Sequence, residues 1–303
     1  MTYCIDYRNG SMGNTILSHA LFACNQVDID LTNFFSKSGN SHAIKIVNRT
    51  NLIAEHLIEY PRDNVTCVLE VITSDWWEVL RLKMSYQKWV GQYPTMDNVS
   101  IFYNHVVEIS KSKQLRLWQE FYTSFKDPLW PECDLYNNVS TLPLIVQEEI
   151  NNVYINPIVT QDSELQFVEW LTIAYYDKFC KKQSKHFESA NTLLLGNYLQ
   201  GRFQELIDVC TKTLNWAWNS NRSQQFYNKV IEINQPYLIW IDQIKQTTDD
   251  IINKRAVSTK FDLWEQAIII AKVCEYTQQQ PSTLNWNNVS CETDRNNLYL
   301  DIL

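Results

Sequence analysis

The chain contains no long apolar run, few glycines and no paired cysteine motif. None of its segments approaches the roughly 20 consecutive apolar residues that a membrane-spanning helix needs, and no apolar stretch with a small-residue cleavage site follows its first residues. Its eight cysteines are scattered without a Cys-x-x-Cys pair, which favours reduced thiols over a structural zinc site. We therefore expect a cytoplasmic protein that binds neither a membrane nor a metal.

Clustered positive charge is also missing. The formal net charge is −8 at pH 7, whereas a nucleic-acid-binding protein needs grouped Lys and Arg side chains to neutralise phosphates, so we expect no nucleic-acid partner. With 45% hydrophobic residues, the chain can bury a substantial core. Because it shows no internal repeat or low-complexity linker, we predict a single α/β domain over residues 1–303, with a helical extension over about residues 223–303.

Two of the six glycines lie close together near the start of the chain. Gly10 and Gly13 follow an alternating, strand-like run at Thr2–Tyr7 and precede an apolar, helix-like run at Ile16–Asn25. A helix N-terminus presents unpaired N–H groups and a partial positive charge, and glycine lets the backbone approach an anion closely. This order predicts either a phosphate- or sulfate-binding loop or an ordinary turn between a strand and a helix.

The loop departs from the ATP-binding motif Gly-x-x-x-x-Gly-Lys-Ser/Thr. Asn14 follows Gly13 in place of the lysine, and Arg8 occupies the position of the first glycine. Arg8 is either a substitute for that lysine or a solvated loop residue. Ser11 and Thr15 add hydroxyl groups to the loop. Without the lysine, an activated donor other than a nucleoside triphosphate fits this loop better.

A second strand is predicted at Val65–Ile72, a nearly continuous apolar and β-branched run. Such runs are typical of strands buried on both faces of a parallel sheet. Ser74 and Asp75 precede a predicted helix from Trp76 to about Val90 and are suitable caps for it. If Thr2–Tyr7 and Val65–Ile72 share a sheet, they run parallel near its centre, joined by a right-handed crossover.

The rest of the chain is predicted to be mainly helical. Apolar residues at helical spacing and the positions of proline and glycine define these segments. The predictions are helices over residues 100–126, 163–182, 202–214, 223–253 (interrupted near Pro236) and 263–278, and a short strand over 191–196.

The arrangement of these elements resembles the sulfotransferase family. The resemblance lies in the strand, the Arg8–Thr15 loop and the helix, followed by Ala54-Glu55-His56-Leu57 ahead of a second buried strand. Leu193–Leu199 with its helix is similar to a later strand and docked helix of that family. Phe226–Leu238 resembles helices in divergent sulfotransferase-like proteins of marine phages. The resemblance implies a three-layer P-loop-type α/β fold with a mostly parallel central sheet and additional C-terminal helices.

The resemblance also implies a reaction. Sulfotransferases transfer a sulfuryl group from 3′-phosphoadenosine 5′-phosphosulfate (PAPS), here to a hydroxyl or amine of a small-molecule or glycan acceptor. His56 matches the family's general base, a role that imidazole suits near neutral pH; the alternative is a partly buried histidine bonded to backbone. Arg8 would face the bridging oxygen of the donor. The implied donor-binding residues are Asn9, Gly10, Ser11, Met12, Gly13, Asn14 and Thr15, with Arg81 and Ser85 at the 3′-phosphate.

Two other functions stay open at this point. One is a kinase-like P-loop phosphotransferase that uses ATP and magnesium, with Asp6, Asp75 and Thr15 near the metal. The missing loop lysine weighs against it. The other is a non-catalytic viral structural or interaction protein that retains the fold.

Overall fold

The computed structural model describes residues 2–8, 10–32, 50–57, 61–81, 83–84, 187–257, 261, 263–292 and 297–300, with a few residues between 165 and 176. The chain divides into two compact units, Met1–Lys88 with Gln183–Ile241 and Trp89–Lys182 with Asp242–Leu303. The single domain predicted over residues 1–303 stays a prediction. Within the described ranges, no helix is both long enough and apolar enough to cross a membrane.

A four-stranded parallel sheet forms the centre of the first unit. Its strands are β1 (Thr2–Tyr7), β2 (Leu52–Glu55), β3 (Val65–Ile72) and β4 (Asn191–Leu194), in the order β2-β1-β3-β4. The predicted parallel pairing of Thr2–Tyr7 with Val65–Ile72 at the centre is confirmed, and so is the α/β class. Because all the pairings are parallel, the carboxyl ends of the strands lie at one edge of the sheet.

Strand β2 did not figure among the predicted strands. It has four residues and only Leu52 is buried, so it lacks the continuous apolar run that identified β3. Its pairing with β1 places Glu55 opposite Asp6. The residue that follows β2, His56, therefore lies next to the end of β1.

The first helix, α1, spans Gly13–Ala23 and packs against β1 and β2. Ten of its eleven residues are buried, so it is a core helix. Residues 76–81 and 83–84 are helical, as predicted, and so are the described residues between 165 and 176. The predicted helix over residues 100–126, and the site residues Asn9 and Ser85, lie outside the described residues.

The later elements are two short helices, two longer helices and an antiparallel pair of strands. The predicted helices near 202–214 and 263–278 are confirmed, although the first of them ends in a π-helical turn. The elements are α2 (Leu195–Leu199), α3 (Gln204–Asp208) with a π-helix at Val209–Thr213, α4 (Ser220–Ile252), α5 (Leu263–Thr277), and an antiparallel pair of β5 (Val289–Glu292) with β6 (Asn297–Leu300).

Two predicted boundaries are wrong. The strand predicted over residues 191–196 ends at Leu194, because the chain becomes helical at Leu195. Gly196 is needed in that helix, since a Cβ atom there would lie 2.2 Å from the Trp77 indole nitrogen. The predicted interruption near Pro236 is also absent, because α4 continues through it. Phe226 lies buried before that proline and Ile244 after it, and this burial offsets the roughly 3 kcal/mol that a helix-interior proline costs.

A buried histidine joins α1 to the later helices of the first unit. His19 is fully buried, with its Nδ1 atom 3.1 Å from the Tyr198 hydroxyl and its Nε2 atom 2.9 Å from the Ser223 hydroxyl. The Phe226 ring stacks on it at 5.1 Å, and the Phe203 ring meets it edge-on at 5.0 Å. Because burial disfavours the charged form, it lowers the pKa of His19 to about 3.

Arg222 closes the C-terminal end of α1. Its Nε atom donates to the Phe22 carbonyl at 2.8 Å and its Nη2 atom to the Val27 carbonyl at 3.0 Å. Its guanidinium also lies 4.0 Å from the centre of the Phe22 ring. Helix C-termini leave carbonyl groups unpaired and carry partial negative charge, so this contact stabilises α1 from α4.

Acid should destabilise the first unit through His19. The folded pKa is about 3 and the ordinary value is about 6.5, so the unfolded chain binds this proton more readily. The stability that neutral His19 provides is therefore complete above about pH 6.5 and falls by about 1.4 kcal/mol for each pH unit between about pH 6.5 and about pH 3. Urea unfolding at neutral pH and at about pH 4 measures this slope.

The matched variant is His19→Gln, which keeps hydrogen-bonding capacity but does not titrate. It should be less stable than the wild type at neutral pH, and the difference should shrink as the pH falls. If the free energies of unfolding of the two proteins change equally with pH, His19 is not the group responsible for the acid sensitivity.

Replacing Arg222 by lysine should lower the free energy of unfolding by about 1–2 kcal/mol. The lysine ammonium group keeps the charge, but it lacks the planar guanidinium that bonds the Phe22 and Val27 carbonyls at the same time. Arg202→Lys is the control, because Arg202 is exposed and bonds the Gln200 side chain. It should change stability by less than about 0.5 kcal/mol, and equal losses in the two variants would refute the role of Arg222.

Candidate functional site

The N-terminus of α1 opens at the carboxyl edge of the parallel sheet. The helix begins at Gly13, shortly after the last residue of β1, and no side chain caps it. Met12 occupies the N-cap position in a left-handed conformation, with φ of 61°. The first N–H groups of an α-helix have no acceptor within the helix, so this end of α1 can donate hydrogen bonds to an anion.

Ser11 adds a second, independent feature to this loop. Its side chain is 1% exposed, and its hydroxyl has no hydrogen-bond partner among the described residues. Its main-chain N–H donates to the Arg8 carbonyl at 2.9 Å and closes the turn. A buried hydroxyl without a partner costs about 1–3 kcal/mol. An oxyanion at the loop would supply the missing acceptor.

Both loop glycines are required by close packing. A Cβ atom at Gly13 would lie 2.1 Å from the Tyr7 ring, and one at Gly10 would lie 2.3 Å from the Arg81 carbonyl oxygen. Gly10 also has φ of 84°, which side-chain-bearing residues rarely adopt. The glycine pair therefore has a structural explanation without a ligand. The case for an anion rests on the uncapped helix and Ser11.

His56 follows β2 and is half-buried beside Tyr7. Its Nδ1 atom lies 2.6 Å from the Tyr7 carbonyl oxygen, and the two rings are 4.3 Å apart at 42°. A carbonyl oxygen can only accept, so Nδ1 carries the proton and the lone pair of the neutral ring is on Nε2. The two interpretations of His56 are thus compatible, because the bond to backbone at Nδ1 leaves Nε2 as the basic atom.

Asp6 fixes the turn that carries His56. Its side chain is buried and accepts the Leu57 N–H at 2.5 Å. Asp6 lies opposite Glu55 on one side and Glu70 on the other, so three acidic residues form a row across the sheet. Within the described ranges, however, no group of three His, Cys, Asp or Glu side chains could hold a metal ion.

Two cysteines lie on the central strands near this acidic row. Cys4 and Cys67 are register partners on β1 and β3 and pack with Leu57. Burial, together with the neighbouring acidic side chains, raises the pKa of each thiol to about 12. They are therefore protonated at neutral pH and are not nucleophiles.

The two predicted arginines have different surroundings. Arg8 is half-buried and forms no ion pair within the part of the chain that the structure describes. Arg81 is fully buried, with Nε 2.8 Å from one Glu78 carboxylate oxygen and Nη2 2.6 Å from the other. Its main chain lies against Gly10, but its guanidinium is bound to Glu78. The 3′-phosphate contact of Arg81 stays a prediction.

Tyr7 was not among the predicted site residues. Its ring lies on Gly13, its hydroxyl is 3.0 Å from the Asn14 side-chain nitrogen, and its carbonyl bonds His56. The sequence signal for it was its position, an aromatic residue at the strand end directly before the glycine-containing loop. Its contacts depend on β2, which the sequence did not predict as a strand.

Gly13→Ala tests the packing of the loop. Alanine is about 1 kcal/mol more favourable than glycine within a helix, so the substitution would stabilise the protein if nothing packed against position 13. Contact with the Tyr7 ring should instead lower the free energy of unfolding by about 1–3 kcal/mol. The double variant with Tyr7→Leu should recover part of this loss, because the smaller side chain gives the methyl group room. A stabilising Gly13→Ala substitution would contradict the packing.

No protein-family model, no curated protein and no solved structure matches the chain. The uncapped N-terminus of α1, the buried Ser11 hydroxyl and the Nε2 atom of His56 belong to one edge of one parallel sheet.

Proposed function

We propose that the chain binds the anionic end of an activated donor at the N-terminus of α1 and transfers a sulfuryl group from PAPS to an acceptor hydroxyl or amine. The observation that carries this proposal is the uncapped α1 terminus with the buried, unpartnered Ser11 hydroxyl. The proposal includes the three-layer P-loop-type fold implied by the sequence, of which the parallel sheet and α1 would form the donor-binding part.

His56 is the general base in this proposal. Its Nε2 atom accepts the proton of the acceptor as the acceptor oxygen or nitrogen bonds to sulfur and the sulfur–oxygen bond of the donor breaks. A base placed within hydrogen-bond reach contributes about 10²–10⁴-fold to a rate. The bond from Nδ1 to the Tyr7 carbonyl supports this role, because it fixes the tautomer that leaves Nε2 unprotonated.

In this proposal, α1 and Arg8 stabilise the negative charge of the donor. The first N–H groups of α1 and the Ser11 hydroxyl donate to the sulfate or phosphate oxygens, and Arg8 offsets the negative charge that develops on the bridging oxygen. Such preorganised donors are a principal source of rate enhancement in group transfer. Arg81 is assigned to the 3′-phosphate in this proposal, and its Nε and Nη2 atoms bond the Glu78 carboxylate.

Ligand-dependent melting separates the candidate functions. Adenosine 3′,5′-bisphosphate at about 100 times its Kd should stabilise the fold by about 2.7 kcal/mol. Stabilisation by ATP with magnesium instead would indicate the kinase-like alternative. If neither ligand raises the melting temperature, the proposal is wrong, and the non-catalytic alternative is favoured over the kinase-like one.

His56→Ala should lower turnover by about 10²–10⁴-fold and leave the affinity for adenosine 3′,5′-bisphosphate nearly unchanged, because the base contacts the acceptor. His56→Asn is the matched variant, since its amide can still donate to the Tyr7 carbonyl but offers no basic nitrogen. Release of adenosine 3′,5′-bisphosphate from PAPS, with phenol, alcohol and amine acceptors, measures turnover. Full activity in either variant would remove His56 as the base.

A further inference from the structure

Tyr7 connects the two halves of the candidate site. It is the last residue of β1 and is 8% exposed. Its ring lies between Gly13, at the start of α1, and the ring of His56. Tyr7 therefore contacts both the N-terminus of α1, which is proposed to bind the anion, and His56, which is proposed to act as the base.

We propose that Tyr7 is a positioning residue that holds the first turn of α1 and the imidazole of His56 in one arrangement, so that anion binding and the tautomer of the base depend on the same side chain. This inference rests on the proposed function. It goes further by assigning a role to a residue that touches neither donor nor acceptor, and by making two properties of the site change together.

The contact with α1 is specific to a tyrosine. The ring fills the space above Gly13, where any side chain would collide with it. The hydroxyl accepts a hydrogen bond from the Asn14 side-chain amide at 3.0 Å. Asn14 lies in the first turn of α1, where the free N–H groups are, so this bond restrains the residues that would surround an anion. Phenylalanine would keep the ring packing and lose the hydrogen bond to Asn14.

The contact with His56 has two parts. The Tyr7 carbonyl accepts from Nδ1 at 2.6 Å, and the Tyr7 ring lies 4.3 Å from the imidazole, centre to centre. The carbonyl selects the tautomer, and the ring keeps the imidazole in line with that carbonyl. A substitution that removes the ring leaves the carbonyl in place but frees the imidazole to rotate away from it.

Two variants separate these contributions. In Tyr7→Phe, the affinity for adenosine 3′,5′-bisphosphate should fall about 3–10-fold, the usual consequence of losing one hydrogen bond, while His56 keeps its proton on Nδ1. In Tyr7→Leu, the affinity should fall further and His56 should show a mixture of tautomers. Titration calorimetry measures the affinity, and ¹⁵N chemical shifts of the imidazole report which nitrogen carries the proton.

Tyr3→Phe is the control, because Tyr3 lies on β1 at the opposite end of the strand. It should change neither the affinity nor the tautomer. The inference is overturned if Tyr7→Phe binds adenosine 3′,5′-bisphosphate as tightly as Tyr3→Phe does, or if Tyr7→Leu keeps the Nδ1–H tautomer. If the wild type does not bind this probe at all, the proposed function fails, and the link between anion and base fails with it.

Discussion

The parallel pairing of β1 with β2 on one side and with β3 on the other places the start of α1 and His56 at the same edge of the sheet. Parallel strands end at the same edge, so Tyr7 at the end of β1 and His56 after β2 become neighbours although they are 49 positions apart in the sequence. Asp6 reinforces this arrangement by accepting the Leu57 N–H. Ligands of open α/β sheets bind at this carboxyl edge, and here it also holds the N-terminus of α1.

The sequence predicted the parts of the fold that depend on local pattern. The alternation in Thr2–Tyr7, the continuous apolar run in Val65–Ile72 and the glycine-containing turn between strand and helix identified β1, β3 and α1. Strand β2 was not predicted because it is short and mostly half-buried and so has no continuous apolar run. It is a strand because it pairs with β1. The uninterrupted α4 likewise depends on buried contacts on both sides of Pro236, which no local rule at the proline reveals.

The candidate site shows the same division between local and tertiary information. The sequence identified His56 and the loop from Gly10 to Thr15, because their residue types and order are chemically suggestive. The i,i+3 spacing of Glu78 and Arg81 on a predicted helix is compatible with an ion pair, but the sequence does not show that both side chains are buried. The role of Tyr7 was equally hidden, because a tyrosine at a strand end has many possible surroundings.

Several polar groups of the first unit are buried, and their partners explain how the fold tolerates them. The His19 ring lies between two hydroxyls, Asp6 accepts a backbone N–H, and Arg81 shares two hydrogen bonds with Glu78. Ser11 differs from these three because its hydroxyl has no partner in the described part of the chain. Natural folds pair most of their buried polar atoms, and such an exception next to an uncapped helix terminus is a reason to look for a ligand.

A crystal structure of the protein soaked with adenosine 3′,5′-bisphosphate tests the central claim most directly. We expect a phosphate group at the start of α1, with its oxygens within hydrogen-bond distance of the first N–H groups and of the Ser11 hydroxyl. We also expect that His56 keeps its bond to the Tyr7 carbonyl in that complex. A nucleotide bound elsewhere, with the Ser11 hydroxyl still unpartnered, would contradict the account.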